Sequence, residues 1–173
     1  FIYPFISLIS VYGYLFLLKS IKYLLGGKNR LSISIIINSL IIVPPLVTIF
    51  KMHPHQNVYF NVFAGSDPLL KFEGDYWGVS YKQGLEKLLK TYDGDIFLNV
   101  GNFPGKNNLQ MIDKNDRNRI KIVDFKNADY FMTNFRSQLK DYIKSNEGIG
   151  PFQNEVFSIK YGEMKVLGTY DLK

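Results

Sequence analysis

The sequence contains no cysteine. That absence excludes a disulfide framework, a thiolate zinc site and a cysteine nucleophile. Acidic residues are also missing where they would be most informative: none of the 15 Asp and Glu falls in the first 50 residues. Only four of the 21 Lys and Arg fall there, and all four (Lys19, Lys22, Lys28, Arg30) lie in one short stretch. The formal charge of +6 and the high pI therefore come largely from a single segment, and the rest of the chain is close to neutral. This distribution argues against a nucleic-acid partner, because phosphate recognition gathers basic residues on one folded surface. There is no Gly-rich phosphate loop, nucleophile elbow or metalloprotease signature, and no internal repeat or low-complexity segment.

What the first 50 residues hold instead is apolar. Phe1 to Leu18 is an uncharged run of 18 residues and Leu31 to Phe50 one of 20, each near the roughly 20 residues a helix needs to cross a bilayer. We read 1–51 as two transmembrane helices, about 1–18 and 31–50, joined by a basic connector 19–30 broken at Gly26-Gly27. Two buried core helices of this kind would need more covering protein than the remaining polar chain supplies. A signal peptide does not fit the first run, since its basic residues follow it and no Met opens the chain. The connector carries Lys and Arg with no acid, the bias of a cytoplasmic loop. The expected topology puts residues 52–173 in the periplasm, the cell exterior or a lumen. Pro44-Pro45 frees carbonyls inside the second span, which predicts a kink packed against other helices. Tyr3, Tyr12, Tyr14, Ser32, Ser34, Asn38 and Ser39 predict interhelical hydrogen bonds. Together with the missing Met, these features lead us to expect a C-terminal piece of a longer multi-pass protein, with membrane lipid and upstream helices as partners.

Residues 52–173 have the composition of a folded α/β domain. Tyr81, Leu85, Leu88, Leu89 and Tyr92 recur on one helical face, and Ser80 with Gln83 has capping-box spacing, so a helix starts at Ser80 and ends by Asp93-Gly94. Asp95 to Val100 reads as a buried strand, Asn99 to Gly105 as a loop and possible surface site, and Asn107 to Ile112 as short helix. Asn57 to Ala64 is β-branched and aromatic enough for a strand or an ordered extension. Arg119 to Phe125 and Ala128 to Phe135 read as strands around a Lys126-Asn127 turn, and Ser137 to Lys144 as a short helix. Glu155 to Lys160 and Met164 to Tyr170 flank Tyr161-Gly162-Glu163 as a terminal β-hairpin. The expected fold is a transmembrane hairpin followed by a small extracytoplasmic α/β domain, a mixed sheet covered by helices.

Few residues offer chemistry. His53 and His55 flank Pro54 at the end of the second span, but no compact carboxylate cluster accompanies them, so no metal site is expected. Glu73-Gly74-Asp75-Tyr76-Trp77-Gly78 sets two carboxylates beside the single Trp. Aromatic faces pack on sugar C–H surfaces while carboxylates accept from hydroxyls, so the segment suits sugar binding; a packing anchor before a helix is the alternative. Paired acids of a glycoside hydrolase need two carboxyl groups across a scissile bond, and nothing places a second group opposite.

Three segments carry a resemblance: Met52-His-Pro-His-Gln-Asn-Val-Tyr-Phe-Asn61, Phe72-Glu-Gly-Asp-Tyr-Trp-Gly-Val-Ser-Tyr81, and Ala128-Asp-Tyr-Phe-Met-Thr-Asn-Phe-Arg136. They resemble the C-terminal region of multi-pass glycosyltransferases, the group that includes dolichyl-phosphate-mannose protein mannosyltransferases and the lipid A aminoarabinose transferase. His55 departs from the pattern by standing where an aromatic residue is expected, and Gly74 by falling inside the acidic-aromatic motif. The resemblance implies transfer of a sugar from a polyprenyl-phosphate donor to an extracytoplasmic acceptor. It also implies that the catalytic acid lies upstream of Phe1, so no catalytic residue and no cofactor are assigned in this stretch. The expected substrate-side residues are Asp75, Tyr76 and Trp77, with Lys51 and His53 as the basic pair nearest the lipid headgroups. The competing expectation is a membrane-anchored module that binds glycan or protein without enzymatic activity.

Overall fold

Twenty-two residues at a rise of about 1.5 Å make a helix of roughly 33 Å, enough to span a hydrocarbon core of about 30 Å. A computed structural model describes residues 2–24, 30–65, 68–136, 151–162 and 164–173, and it contains two helices of that length, α1 (Tyr3–Leu24) and α2 (Arg30–Lys51). Both are long and apolar enough to cross a membrane. α1 runs past the expected boundary at Leu18 and takes in Lys19 and Lys22. Lysine is a good helix former and favours the negative end of the helix dipole, so the helix continues through both lysines to Leu24.

Of the polar residues expected to bond between the helices, Tyr14, Ser34 and Asn38 do so, whereas Tyr3 and Tyr12 are exposed. Asn38 Nδ2 donates to the Tyr14 hydroxyl at 2.5 Å and to the Ser34 carbonyl at 2.8 Å, and the Tyr14 and Ser34 hydroxyls lie 3.4 Å apart. Pro44 and Pro45 sit within α2, and Thr48 Oγ1 donates back to the Pro44 carbonyl at 2.9 Å.

Residues 52–173 form a separate compact unit. Helix α3 (Ser80–Thr91) buries Tyr81, Leu85, Leu88 and Leu89 along one stripe. It packs on a five-stranded mixed sheet built from β1 (Ile96–Val100), β2 (Ile120–Ile122), β3 (Tyr130–Thr133), β4 (Asn154–Tyr161) and β5 (Met164–Asp171), in the order β2-β1-β3-β5-β4. Gly84 lets the helix approach closely: a Cβ there would lie 2.8 Å from Leu167 Cδ2 and 3.0 Å from Met132 Sδ. Phe131, Phe135, Phe152 and Tyr170 form a second apolar cluster. Phe131 pairs with Tyr170 across β3 and β5, one residue out of step with Met132, so the two clusters occupy opposite faces of the sheet.

The two strands expected on either side of Lys126-Asn127 are present, and they do not pair with each other. β2 and β3 both run parallel to β1 and lie on either side of it. β2 pairs with the first half of β1 and β3 with the second, both meeting Leu98, so the short link through a 3-10 turn at Phe125–Asn127 suffices. The Asn99 to Gly105 loop is instead a strand end followed by α4 (Phe103–Asn108), with Pro104 in the first turn, where a missing N–H costs nothing. A short α5 (Lys114–Arg117) precedes β2. Asn57 to Ala64 is not a strand: it contains 3-10 turns at Gln56–Val58 and Val62–Ala64, the second capped by the Asn61 side chain on the Phe63 amide at 3.0 Å. Asn and Asp side chains that bond nearby backbone compete with a sheet ladder, which explains the departure. The terminal hairpin β4–β5 is present as expected. The helix expected over Ser137 to Lys144 lies outside the described residues.

Candidate functional site

The N-terminus of α3 is capped from outside the helix. Asp75 is 1% exposed, and its carboxylate accepts from the Val79 and Ser80 amides at 3.0 and 2.8 Å, from the Ser80 hydroxyl at 2.5 Å and from Asn57 Nδ2 at 2.8 Å. A carboxylate at this helix end meets both the unpaired N–H groups and the positive end of the dipole. The capping box read at Ser80 and Gln83 is therefore not formed. Ser80 already lies inside the helix, and the Gln83 carbonyl oxygen accepts from His55 Nε2 at 2.8 Å. His55 is fully buried with its ring 4.9 Å from that of Tyr161.

Fixing Asp75 inward turns the next two side chains outward. Tyr76 is 40% exposed and Trp77 72% exposed, and their rings meet edge to face at 5.0 Å. Gly78 then reverses the chain with φ of +70°, and a Cβ there would strike Pro104 at 2.4 Å, so both conformation and space require glycine. Gly74 is less constrained: a Cβ there would come within 2.6 Å of Leu69 Cδ2, the end of a side chain that can shift.

The loop sits at the carboxyl ends of two parallel strands, the edge at which α/β sheets bind ligands. Asn134, just after β3, donates through Nδ2 to the Asp75 carbonyl at 2.6 Å, and its Oδ1 accepts from Asn102 Nδ2, just after β1, at 2.6 Å. Arg136 lies with its guanidinium carbon 3.6 Å from the centre of the Tyr76 ring, and Nη1 donates to the Tyr76 carbonyl at 3.3 Å. Beside it is an open cleft of about 220 Å³, lined by Lys71, Glu73, Gly74, Asn134 and Arg136 together with the apolar Leu69, Phe72 and Phe135.

Electrostatics around the loop favour neutral phenols. Burial raises the Tyr81 phenol above the ordinary tyrosine range, although Asn134, Thr133 and Asn102 lie close enough to oppose the shift; the Asp75 charge adds to it. Tyr161 is raised by burial first and by the Asp75 charge second.

The expected site residues thus separate. Tyr76 and Trp77 are presented together. Asp75 is their anchor, its carboxylate occupied by four internal donors and not offered to a ligand. His53 is exposed, and its Nδ1 accepts from Gln56 Nε2 at 2.9 Å. Lys51 is the last residue of α2 and belongs to the helical unit. Sequence reasoning did not assign Lys71, Asn134 or Arg136 to the site, although Asn134 and Arg136 end one of the three segments that carry the resemblance. The signal that could have found them is their place after a strand, at its carboxyl end. Among the described residues, no three of His, Asp and Glu gather as a metal site. Comparison with family models, characterised proteins and solved structures finds no match to this chain.

Proposed function

We propose that this chain is the C-terminal part of an integral-membrane glycosyltransferase. In this reading the enzyme transfers a sugar from a polyprenyl-phosphate donor to an extracytoplasmic acceptor, and its catalytic acid lies upstream of Phe1. α1 and α2 cross the bilayer, and residues 52–173 face the periplasm, the exterior or a lumen. The resemblance of the three segments named above supports the class. The observation that carries the reading in this chain is the outward Tyr76–Trp77 pair held by a buried Asp75 beside a polar cleft. An apolar ring next to charged groups is the usual chemistry of sugar recognition, with the ring covering C–H surfaces and the polar groups taking hydroxyls.

In this mechanism the domain binds and orients and does not itself move a proton. Asp75 and Asn134 fix the loop so that Trp77 does not collapse into the domain, which lowers the ordering cost of binding. The test is a transfer assay in membranes with a radiolabelled polyprenyl-phosphate sugar, using the full-length protein, its Trp77→Ala variant and the 173-residue chain alone. The expected result is transfer by the full-length protein, strongly reduced transfer by the variant and none by the isolated chain. If the full-length protein transfers no sugar from any such donor yet the chain still retains glycan on Trp77, the anchored binding module replaces the enzyme.

A further inference from the structure

The domain begins where the second long apolar helix stops. α2 ends at Lys51, and Met52 is already buried in the core that α3 shares with the sheet. Any bilayer that α2 crosses is therefore one residue of chain away from the domain, with no linker to take up a gap. Phe63 follows Lys51 by 12 residues. That stretch would reach no further than about 40 Å if fully extended, and here it is folded into 3-10 turns.

Phe63 is 92% exposed, more than any other large apolar side chain among the described residues of the domain. Its backbone is nonetheless fixed. The Asn61 side chain accepts from its amide at 3.0 Å, Ala64 beside it is buried, and the Ala64 carbonyl accepts from Lys71 Nζ at 3.2 Å. Gly65, with φ of +86°, then reverses the chain. Phe72 is 51% exposed and stacks on Phe60 with ring centres 5.6 Å apart. The Lys71 bond joins the turn that carries Phe63 to the residue before Phe72, so two exposed rings and an ammonium belong to one short fold of chain. A lone exposed apolar residue needs no explanation. A ring held out by a cap and a hydrogen bond, with a cation and a second ring in the same fold, suits the boundary between lipid headgroups and acyl chains, where rings leave water and an ammonium meets phosphate.

We propose that Phe63 and Phe72 dock the domain on a lipid surface, with Lys71 at the level of the lipid phosphates. This docking rests on the reading that α1 and α2 cross the bilayer and goes beyond it, since nothing in a membrane span requires the following domain to touch lipid. The occupant is the bilayer because the chain itself delivers the loop to within reach of it. The rings concerned are not the Trp77 ring that the sugar reading uses.

The 173-residue chain is reconstituted in nanodiscs of phosphatidylcholine and phosphatidylglycerol, with and without bromine on the acyl chains near the headgroups. Trp77, the only tryptophan, is removed by Trp77→Phe, and single reporters enter that background: Phe63→Trp on the loop, Leu40→Trp within α2, and Asp95→Trp in the exposed turn between α3 and β1. Tyrosine dichroism in the near ultraviolet checks that each variant is folded, and the exposure of Phe63 makes its replacement mild. The expected result is blue-shifted emission from Phe63→Trp, quenched by brominated lipid about twofold or more, as for Leu40→Trp, with Asp95→Trp unchanged. Adding Phe72→Ser or Lys71→Glu to Phe63→Trp should reduce that quenching about twofold, the second more at low salt than at high. Quenching unchanged by both would overturn the roles of Phe72 and Lys71. Quenching of Leu40→Trp without quenching of Phe63→Trp overturns the docking and leaves the spans standing; quenching of Phe63→Trp alone does the reverse. Blue-shifted emission from Phe63→Trp without bromine quenching would mean that protein, a second copy or a partner, covers the loop, and equal quenching of Phe63→Trp and Asp95→Trp that lipid contact is indiscriminate. Either would overturn the docking.

Discussion

The two units of this chain use the same apolar residue types in opposite directions. In the hairpin of α1 and α2, Ile, Leu, Val and Phe side chains are exposed while Tyr14, Ser34 and Asn38 bond to one another between the helices. In the domain, Leu85, Leu88, Ile96, Leu98 and Leu167 are fully or almost fully buried, and Asp75 is buried with them as a charged residue held by hydrogen bonds. In the first unit the helix backbone satisfies itself and Tyr14, Ser34 and Asn38 pair with each other, an arrangement compatible with helices long and apolar enough to cross a membrane. In the second, burial of apolar area holds helix to sheet, as water requires. In the domain both ends of α3 are capped by charged side chains from outside the helix. Asp75 holds the N-terminus, and the Arg119 guanidinium donates to the carbonyls of Leu89, Tyr92 and Gly94 at the C-terminus.

Breaking the N-terminal cap is the most severe test of this division. Asp75→Ala leaves the Val79 and Ser80 amides and Asn57 without their acceptor, the Ser80 amide in a buried position, and should destabilise the domain by on the order of 3 kcal/mol. In detergent, thermal melting should show early loss of the near-ultraviolet tyrosine and tryptophan signal while the helical signal of α1 and α2 persists. Joint loss of both signals would mean that the two units fold as one. Gly84→Val places a branched side chain where even a Cβ meets Leu167 and Met132, and should cost about 1 to 3 kcal/mol by overpacking, read as a lowered midpoint in the same melt.

Within the hairpin, Asn38→Leu removes the hub of its polar contacts. The expected cost is about 1 kcal/mol, seen as faster hydrogen exchange in α1 and α2 with the domain's exchange unchanged. The acid side of the stability profile belongs to the domain. Burial alone would raise the Glu155 carboxyl, but the hydrogen bonds and charge of Lys165 outweigh it, with Ser158 and Lys160 assisting, and the net shift is downward. A carboxyl held lower in the folded than in the unfolded state contributes stability above its unfolded value of about 4.3 and loses it as pH falls through the folded value. Solvent screening of this half-exposed pair keeps the contribution below about 1 kcal/mol. Glu155→Gln should flatten denaturant midpoints measured below about pH 4.3 without altering the hairpin's helicity. Trp77→Ala should be smallest of all for stability, within about 0.5 kcal/mol, because the indole is mostly exposed; unfolding of the variant would return Trp77 to a packing role.

How far the site was legible depends on the range of the interaction. The helix from Ser80 was readable because Tyr81, Leu85, Leu88 and Leu89 repeat at its period, but its true cap was not, since Asp75 lies beyond the spacing of a capping box. Likewise Asp75, Tyr76 and Trp77 stood out as an acidic-aromatic cluster, while their division into one anchor and two exposed rings depends on Asn57 and Asn134 closing around the loop. The signal for Arg136 was only its place just after a strand. Its place over Tyr76 follows from β3 lying next to β1 and from the left-handed turn at Phe135.

The sequence by itself determined where the chain is uniformly apolar, where it becomes amphipathic, the helix from Ser80 and the terminal hairpin, because each depends on a repeat within a few residues. Only the tertiary structure decided that β2 and β3 flank β1 in parallel, that Asn57 to Ala64 turns instead of extending, and that Lys71, Glu73 and Arg136 share a cleft. Those outcomes rest on pairings between residues tens of positions apart, and a pairing is a property of two segments that neither encodes alone.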